Sequence, residues 1–146
     1  MPDISLQCRV ATPEETQFTA LRLKDHTEQA IGINVSHAAF GLLAYEGETL
    51  IGSIVGKSFF NWLHIDLMWV EDSYRSQGVG RMLMDEAYRQ AKEMGLSGIE
   101  VWTQSWQAPG FYKKMGYEEL AVIDDFTPGR KRHVFRRLIP DASAVK

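Results

Sequence analysis

Hydrophobic positions along the chain change period several times, and each change marks an element. Residues 5–11 alternate as a strand does. Thr12-Pro13-Glu14-Glu15 then supplies an N-cap hydroxyl, a proline at the first helical position and an acidic first turn, which predicts a helix to about Ala30. Two apolar-rich stretches, residues 38–45 and 49–60, flank Glu46-Gly47-Glu48 and predict an antiparallel hairpin. Residues 62–70 predict a further strand, with Leu63, Ile65, Leu67 and Trp69 on one face and His64, Asp66, Met68 and Val70 on the other. Both faces are partly apolar, as a central strand requires.

From Val79 the period becomes helical. Val79, Leu83, Ala87 and Ala91 form one stripe, Met82 and Met94 widen it, and Gly95 marks the end. Residues 97–103 return to alternation, residues 108–115 predict a short helix closed by Gly116, and residues 117–123 and 133–138 predict two last strands. One strand-loop-helix-strand unit, residues 62–103, thus sits inside an otherwise antiparallel order. A parallel pair needs such a crossover, so the expected fold class is α/β with a mixed sheet. No repeat or linker interrupts residues 1–146, which read as a single domain.

Composition narrows the function classes. The longest apolar runs fall short of the ~18 to 20 residues that span a bilayer, and Met1-Pro2-Asp3 lacks the basic-then-apolar pattern of a signal peptide. A cytoplasmic protein with no membrane partner is expected. A net charge of -3 and a pI near 5.8 supply no field for a polyanion, so nucleic acid is not expected as a partner. The local cluster Arg130-Lys131-Arg132 and Arg136-Arg137 reads as the protective charge of a solvated edge strand. Cys8 is the lone cysteine and reads as a small buried hydrophobe. His26, His37 and His133 lack the spacing of metal ligands, and no metal is expected.

The chemistry concentrates where the strand over residues 62–70 passes through Arg75-Ser76-Gln77-Gly78-Val79-Gly80 into a helix. A strand that enters a helix through a tight glycine loop brings unpaired N–H groups to the positive end of the helix dipole, and such a place binds phosphate. Gly78 and Gly80 allow close backbone approach, while Arg75 and Arg81 add charge. It is neither a Walker loop, for no Lys-Ser or Lys-Thr follows, nor G-x-G-x-x-G, because position 83 is Leu83.

Arg75-Ser76-Gln77-Gly78-Val79-Gly80 resembles the Q/R-x-x-G-x-G/A signature of the GNAT superfamily of N-acetyltransferases. Upstream, Met68-Trp69-Val70 resembles the family's strand segment that pairs with the pantetheine arm. Downstream, Ala108-Pro109-Gly110-Phe111-Tyr112-Lys113-Lys114-Met115-Gly116-Tyr117 is similar to the family's A-x-x-x-Y-x-x-x-G-F/Y element. The resemblance runs over residues 50–138. It implies a GNAT-like fold, mostly antiparallel, with a splayed parallel pair and flanking helices. It also implies acetyl-CoA as cosubstrate, its pyrophosphate held by backbone N–H groups of Gln77, Gly78, Val79, Gly80 and Arg81 and its pantetheine by main-chain groups of Met68 and Val70. Tyr112 would sit by the sulfur as general acid for the departing thiolate. Ser105 stands where the family often has asparagine; as a hydrogen-bond donor it is the candidate cofactor contact there, with Gln104 and Gln107 nearby.

Direct transfer needs a neutral amine, a thioester carbonyl within about 3 to 3.5 Å and a donor for the developing oxyanion. The resemblance assigns the last role to the backbone N–H of Val70. For the base, Asp66 is the first candidate: its position between Ile65 and Leu67 suits a desolvated carboxyl, although a structural pairing with an arginine fits as well. His64 and Glu100 are further candidates. Phe59, Phe60, Trp62, Trp102 and Trp106 cluster at predicted strand ends, where they can wall an acceptor pocket or form ordinary core. The expected function is acetyl transfer to a primary amine of a small molecule. The alternatives are a protein or peptide acceptor and a non-catalytic CoA-binding sensor. A homodimer is compatible with all three.

Overall fold

The computed structural model describes residues 1–34 and 37–140. Contacts divide the chain into two compact units, Met1–Val35 and Ser36–Lys146.

The first unit is built on α1 (Pro13–Ile31). Its start is a capping box: Glu15 N–H donates to Thr12 Oγ1 at 3.1 Å while Thr12 N–H donates to the Glu15 carboxylate at 2.9 Å. Arg9 grips both oxygens of that carboxylate at 2.8 and 2.7 Å, and its guanidinium holds the Glu15 pKa down to about 2. Gly32, at φ +68°, closes the helix with its N–H on the Glu28 carbonyl. The strand expected over residues 5–11 does not form. Alternation specifies a strand only where a neighbouring strand takes its N–H and C=O groups, and among the described residues this unit holds no other strand to do so. Cys8 lies in that segment and is exposed, not buried.

The second unit is a six-stranded sheet: β1 (His37–Glu46), β2 (Thr49–Phe59), β3 (Trp62–Val70), β4 (Gly98–Gln104), β5 (Glu118–Thr127) and β6 (Arg130–Leu138). The spatial order is β1-β2-β3-β4-β6-β5, antiparallel throughout except for β3 and β4. That parallel pair is joined by α2 (Val79–Glu93), as a crossover demands, and α3 (Pro109–Lys114) precedes β5. Val79, Leu83, Met84, Ala87 and Ala91 of α2 are buried in one core with Ile54, Leu63, Ile65, Ile99, Val101 and Phe135 of the sheet. Each large side chain buried this way contributes about 1.5 to 3 kcal/mol.

Three expectations are corrected here. Met82 and Met94 do not widen the buried stripe, for they are 70% and 45% exposed. At about 100° per residue Met84 falls on the far edge of that stripe and Met82 lies beyond its near edge. The basic strand β6 is not an edge, because it bonds to β4 on one side and β5 on the other, leaving β5 outermost. Its charges are tolerated because β5 presents acids to them: Arg136 meets Glu118 at 3.0 Å and His133 meets Glu119 at 3.1 Å. The third correction concerns the faces of β3 and belongs with the site.

Among the described residues no helix is long and apolar enough to cross a membrane.

Candidate active site

The faces of β3 exchange half-way along. Against β2, His64 pairs with Lys57 and Ile65 with Gly56, but the next partner of β2, Val55, meets Leu67, so Asp66 is an extra residue in a bulge. Leu63 and Ile65 enter the core, whereas Leu67 and Trp69 turn out and are 67% and 42% exposed, and Met68 and Val70 pack against the core in their place. Gly56 is required for this: a Cβ there would run into the His64 carbonyl. The bulge is also where β3 leaves β4. Their parallel ladder runs only from Trp62↔Gly98 to Ile65↔Val101, while Trp102, Thr103 and Gln104 continue in register with β6.

The hydrogen-bond phase decides what faces the resulting gap. Glu71 N–H donates to the Ile51 carbonyl at 2.8 Å. In an antiparallel ladder bonded and unbonded pairs alternate, so Trp69 directs its polar groups to Ser53 on β2, and Met68 and Val70 direct theirs to the open side. Two N–H and two C=O groups at a strand edge thus border the gap.

Beyond Val70 the chain turns through a short 3-10 segment (Asp72–Tyr74) into α2. Arg75 Nε donates to the Val70 carbonyl at 3.2 Å and its Nη2 meets Asp72 at 3.0 Å, while Gln77 Nε2 donates to the Ser73 carbonyl at 2.8 Å. These side chains shape the loop. Ser76 at φ +66° and Gly78 at φ +84° swing the backbone into the helix, whose first bond runs from Met82 N–H to the Gly78 carbonyl at 3.0 Å. The N–H groups of Gly78, Val79, Gly80 and Arg81 therefore precede the first helical bond and gather at the positive end of the dipole. Gln77 N–H is instead turned to the Tyr74 carbonyl at 3.3 Å. A side chain at Gly80 would press on Met68 Cε and the Phe111 ring, so glycine keeps this end of the helix bare. Arg81 is exposed and forms no ion pair among the described residues.

Tyr112 comes to the same place from α3. Its hydroxyl donates to Met68 Sδ at 3.4 Å, and its ring lies in a nest of Phe111, Tyr117 and Phe135. Burial pushes its pKa from the ordinary tyrosine value up to about 12, so the phenol keeps its proton throughout the neutral range. Ser105 ties the end of β4 to β6: its Oγ accepts from Lys131 N–H at 3.1 Å and its N–H donates to the Lys131 carbonyl at 2.8 Å. Gln107 is similarly committed, accepting from Gln104 N–H at 2.9 Å.

The three candidates for the base form one chain. His64 Nδ1 is 2.7 Å from Glu100 Oε1, its Nε2 is 3.2 Å from Asp66 Oδ1, and Asp66 reaches Lys57 at 3.4 Å. Asp66 is thus not isolated between Ile65 and Leu67; the bulge carries it outward to His64 and Lys57. A neutral imidazole satisfies only one of the two carboxylates as donor, whereas the imidazolium satisfies both, so this trio has a place for one extra proton. Of the aromatic group, Trp102 borders it, packed edge-on to His64 at 5.2 Å. Phe59 and Phe60 pack on each other, and Trp62 packs on Gly98, at the opposite end of β3.

Sequence reasoning missed the bulge. Its one visible sign was the pair Gly56 and Asp66 inside otherwise regular strands.

Similarity to known proteins agrees with this geometry. The chain is 42% identical over 86 residues to a blasticidin-S acetyltransferase of Streptomyces morookaense, covering 58% of this chain and 63% of that protein. Over 64 residues it is 39% identical to a peptidyl-lysine N-acetyltransferase of Salmonella typhimurium, covering 44% of this chain and 42% of that protein. The chain therefore spans less than two thirds of the length of these relatives. Among solved structures, an acetyltransferase from Bacillus cereus superposes with a TM-score of 0.82 at 29% identity, covering 92% of this chain and 98% of that one. An acetyltransferase from Bacillus anthracis in complex with acetyl coenzyme A gives 0.63 at 26% identity, covering 69% and 62%. The model of the Acetyltransferase (GNAT) family matches residues 7–117, a stretch that includes the bulged strand, the glycine loop and Tyr112, and this chain belongs to that family.

Proposed function

We propose that the chain is an N-acetyltransferase that moves an acetyl group from acetyl-CoA directly to a primary amine of a small molecule. The observation that carries this reading is the splay. A strand edge with free N–H groups at Met68 and Val70 stands beside a helix end with four more and a buried, protonated Tyr112. The cradle fits the cosubstrate by its own chemistry, since the bare face at Gly80 and the orphaned N–H groups of Gly78 to Arg81 suit a pyrophosphate. Bound there, acetyl-CoA supplies an activated acyl group on a thiol leaving group.

The residues divide the work. Gly78, Val79, Gly80 and Arg81 hold the phosphates with Arg81 adding charge, and Ser76 contributes its left-handed turn. Met68 and Val70 extend the strand edge to the pantetheine, with Trp69 anchoring that segment to β2. The Val70 N–H faces the carbonyl oxygen as negative charge grows on it. Tyr112 donates a hydrogen bond to the sulfur as the bond to it breaks; with its pKa raised to about 12 the phenol is protonated at neutral pH and so available as that donor. Asp66 and His64, braced by Glu100, receive the proton that the acceptor ammonium must lose. The small-molecule acceptor is supported by the blasticidin-S acetyltransferase, the relative with the longer matched stretch of the two.

The test is release of free CoA from acetyl-CoA against polyamines, aminoglycosides, blasticidin S, amino acids and short lysine peptides, with Tyr112→Phe as control. Turnover with one class of small amine, strongly reduced in the control, is the expected result. Turnover with peptides alone would move the acceptor to proteins. CoA binding without turnover on any amine would make the chain a sensor.

A further inference from the structure

The basic residues of β6 are not alike. Lys131 meets Asp124 at 3.4 Å, His133 meets Glu119 at 3.1 Å, Arg136 meets Glu118 at 3.0 Å, and the Arg137 guanidinium lies 3.9 Å over the Tyr88 ring. Arg132 is partly buried and, among the described residues, has no carboxylate partner. It is held by two rings instead, 4.1 Å from the Phe126 centroid and 4.8 Å from that of Trp102. Its Nε is buried with no hydrogen-bond partner.

That arrangement is built by the strands. Opposite Arg132 the β5 register breaks: Ile123 pairs with Arg132 but the next partner is Thr127 on Arg130, so Asp124, Asp125 and Phe126 bulge out. Asp125 takes φ +49° in the excursion, its Oδ1 accepting Gly129 N–H at 3.4 Å, and Phe126 is brought over the guanidinium. Trp102 arrives from β4, where Gln104 stands directly across the ladder from Arg132. The Gln104 Oε1 is buried and unpartnered too. Glu100, Trp102 and Gln104 alternate onto one face of β4, so His64 and Arg132 both lie against the same indole on the same side of the sheet.

A desolvated cation without a counter-charge is costly, and ring faces answer only part of that cost. Stacking covers the faces of the guanidinium and buries Nε, which leaves the in-plane N–H groups of the two Nη nitrogens for a planar two-oxygen acceptor. With its oxygen turned inward, the Gln104 amide leaves its Nε2 N–H groups on the accessible side as a second donor. We propose that Arg132 and Gln104 form a carboxylate-binding site for the acceptor, which makes the acceptor an amine that also bears a carboxylate a few methylenes away. This rests on the acetyltransferase reading for the amine and stands on its own for the carboxylate.

The test uses the full chain with CoA bound and follows the arginine Nε–Hε resonances by NMR, Arg132 being assigned by its disappearance in Arg132→Lys. Titration with 4-aminobutyrate is expected to move that resonance, and butylamine is expected to leave it in place. In the CoA-release assay 4-aminobutyrate should exceed butylamine in kcat/KM by about tenfold or more, and both Arg132→Lys and Phe126→Leu should bring that ratio towards one through KM. A stronger response to 3-aminopropylphosphonate than to 4-aminobutyrate would overturn the carboxylate in favour of a phosphate. An unmoved resonance with equal kcat/KM for both amines would overturn the site, as would a lowered melting temperature in Arg132→Lys with the preference intact, the mark of Arg132 and Gln104 serving only each other. A moved resonance with no turnover of either amine or of any amine in the panel above would keep the site and sink the acetyltransferase reading. Equal acetylation of both amines would do the reverse.

Discussion

The two halves of β3 share one strand and do opposite things. From Trp62 to Ile65 the strand is bonded on both sides, and Leu63 and Ile65 are buried in the core. From Asp66 to Val70 it is bonded to β2 alone, two large apolar side chains turn outward, and the free edge carries the N–H groups of Met68 and Val70. Four residues of parallel ladder keep the sheet whole, and one inserted residue frees the rest of the edge from β4. A strand edge in a folded protein is ordinarily a liability that is covered or charged. Here the open edge lies beside a helix end, and the bulge that opens it also carries Asp66 to His64.

The open side of β3 should be the more sensitive in binding. Gly78→Glu places a carboxylate where a phosphate is expected, at a residue with φ +84°, and should abolish CoA binding in calorimetry while the melting transition of the sheet survives. Deleting Asp66 should restore a regular ladder, because Val55↔Leu67 would then follow Gly56↔Ile65 with no residue between them. The straightened strand continues beside β4, the gap closes, and CoA affinity falls with the core intact; unchanged affinity would mean that the bulge does not make the site. Tyr112→Phe removes only the hydroxyl and should lower kcat by about 10²-fold with little change in acetyl-CoA affinity, whereas equal losses in both would make Tyr112 a packing residue.

The bonded half should respond in the other currency. Ile65→Ala, at a side chain only 2% exposed, should cost about 2 to 5 kcal/mol of stability in denaturant unfolding and leave CoA affinity nearly unchanged. The smallest expected effect is on pH dependence. The Tyr112 pKa is raised from 10 to about 12 in the folded protein, and burial raises Tyr117 as well. Between those values the unfolded chain loses the proton that the folded chain keeps, so stability is undiminished below pH 10 and declines as pH rises through this window. Tyr112→Phe should make the alkaline decline shallower. A decline of equal steepness would mean that Tyr112 is not desolvated.

Much of the molecule was legible from the chain. Thr12, Pro13 and Glu15 announced α1, the repeat of Val79, Leu83, Ala87 and Ala91 announced α2, and Gly78 and Gly80 marked the loop between strand and helix. All three are local signals, carried by neighbours within a turn or two. The failures were equally consistent. Residues 5–11 alternate but have no strand beside them among the described residues, β6 is charged but flanked on both sides, and the faces of β3 exchange at Asp66. Arg132 looked like surface charge until Phe126 and Trp102 closed on it from two other strands.

Capping, periodicity and glycine conformation act over a few residues, so the helices, the turns, the crossover that makes the sheet mixed and the glycine loop before α2 could be read from the chain alone. Which strands have partners, where β3 parts from β4, and which arginine is held between two rings were settled by folding. Those outcomes depend on pairing between residues distant along the chain, where one extra residue shifts a register and redirects every group that follows it.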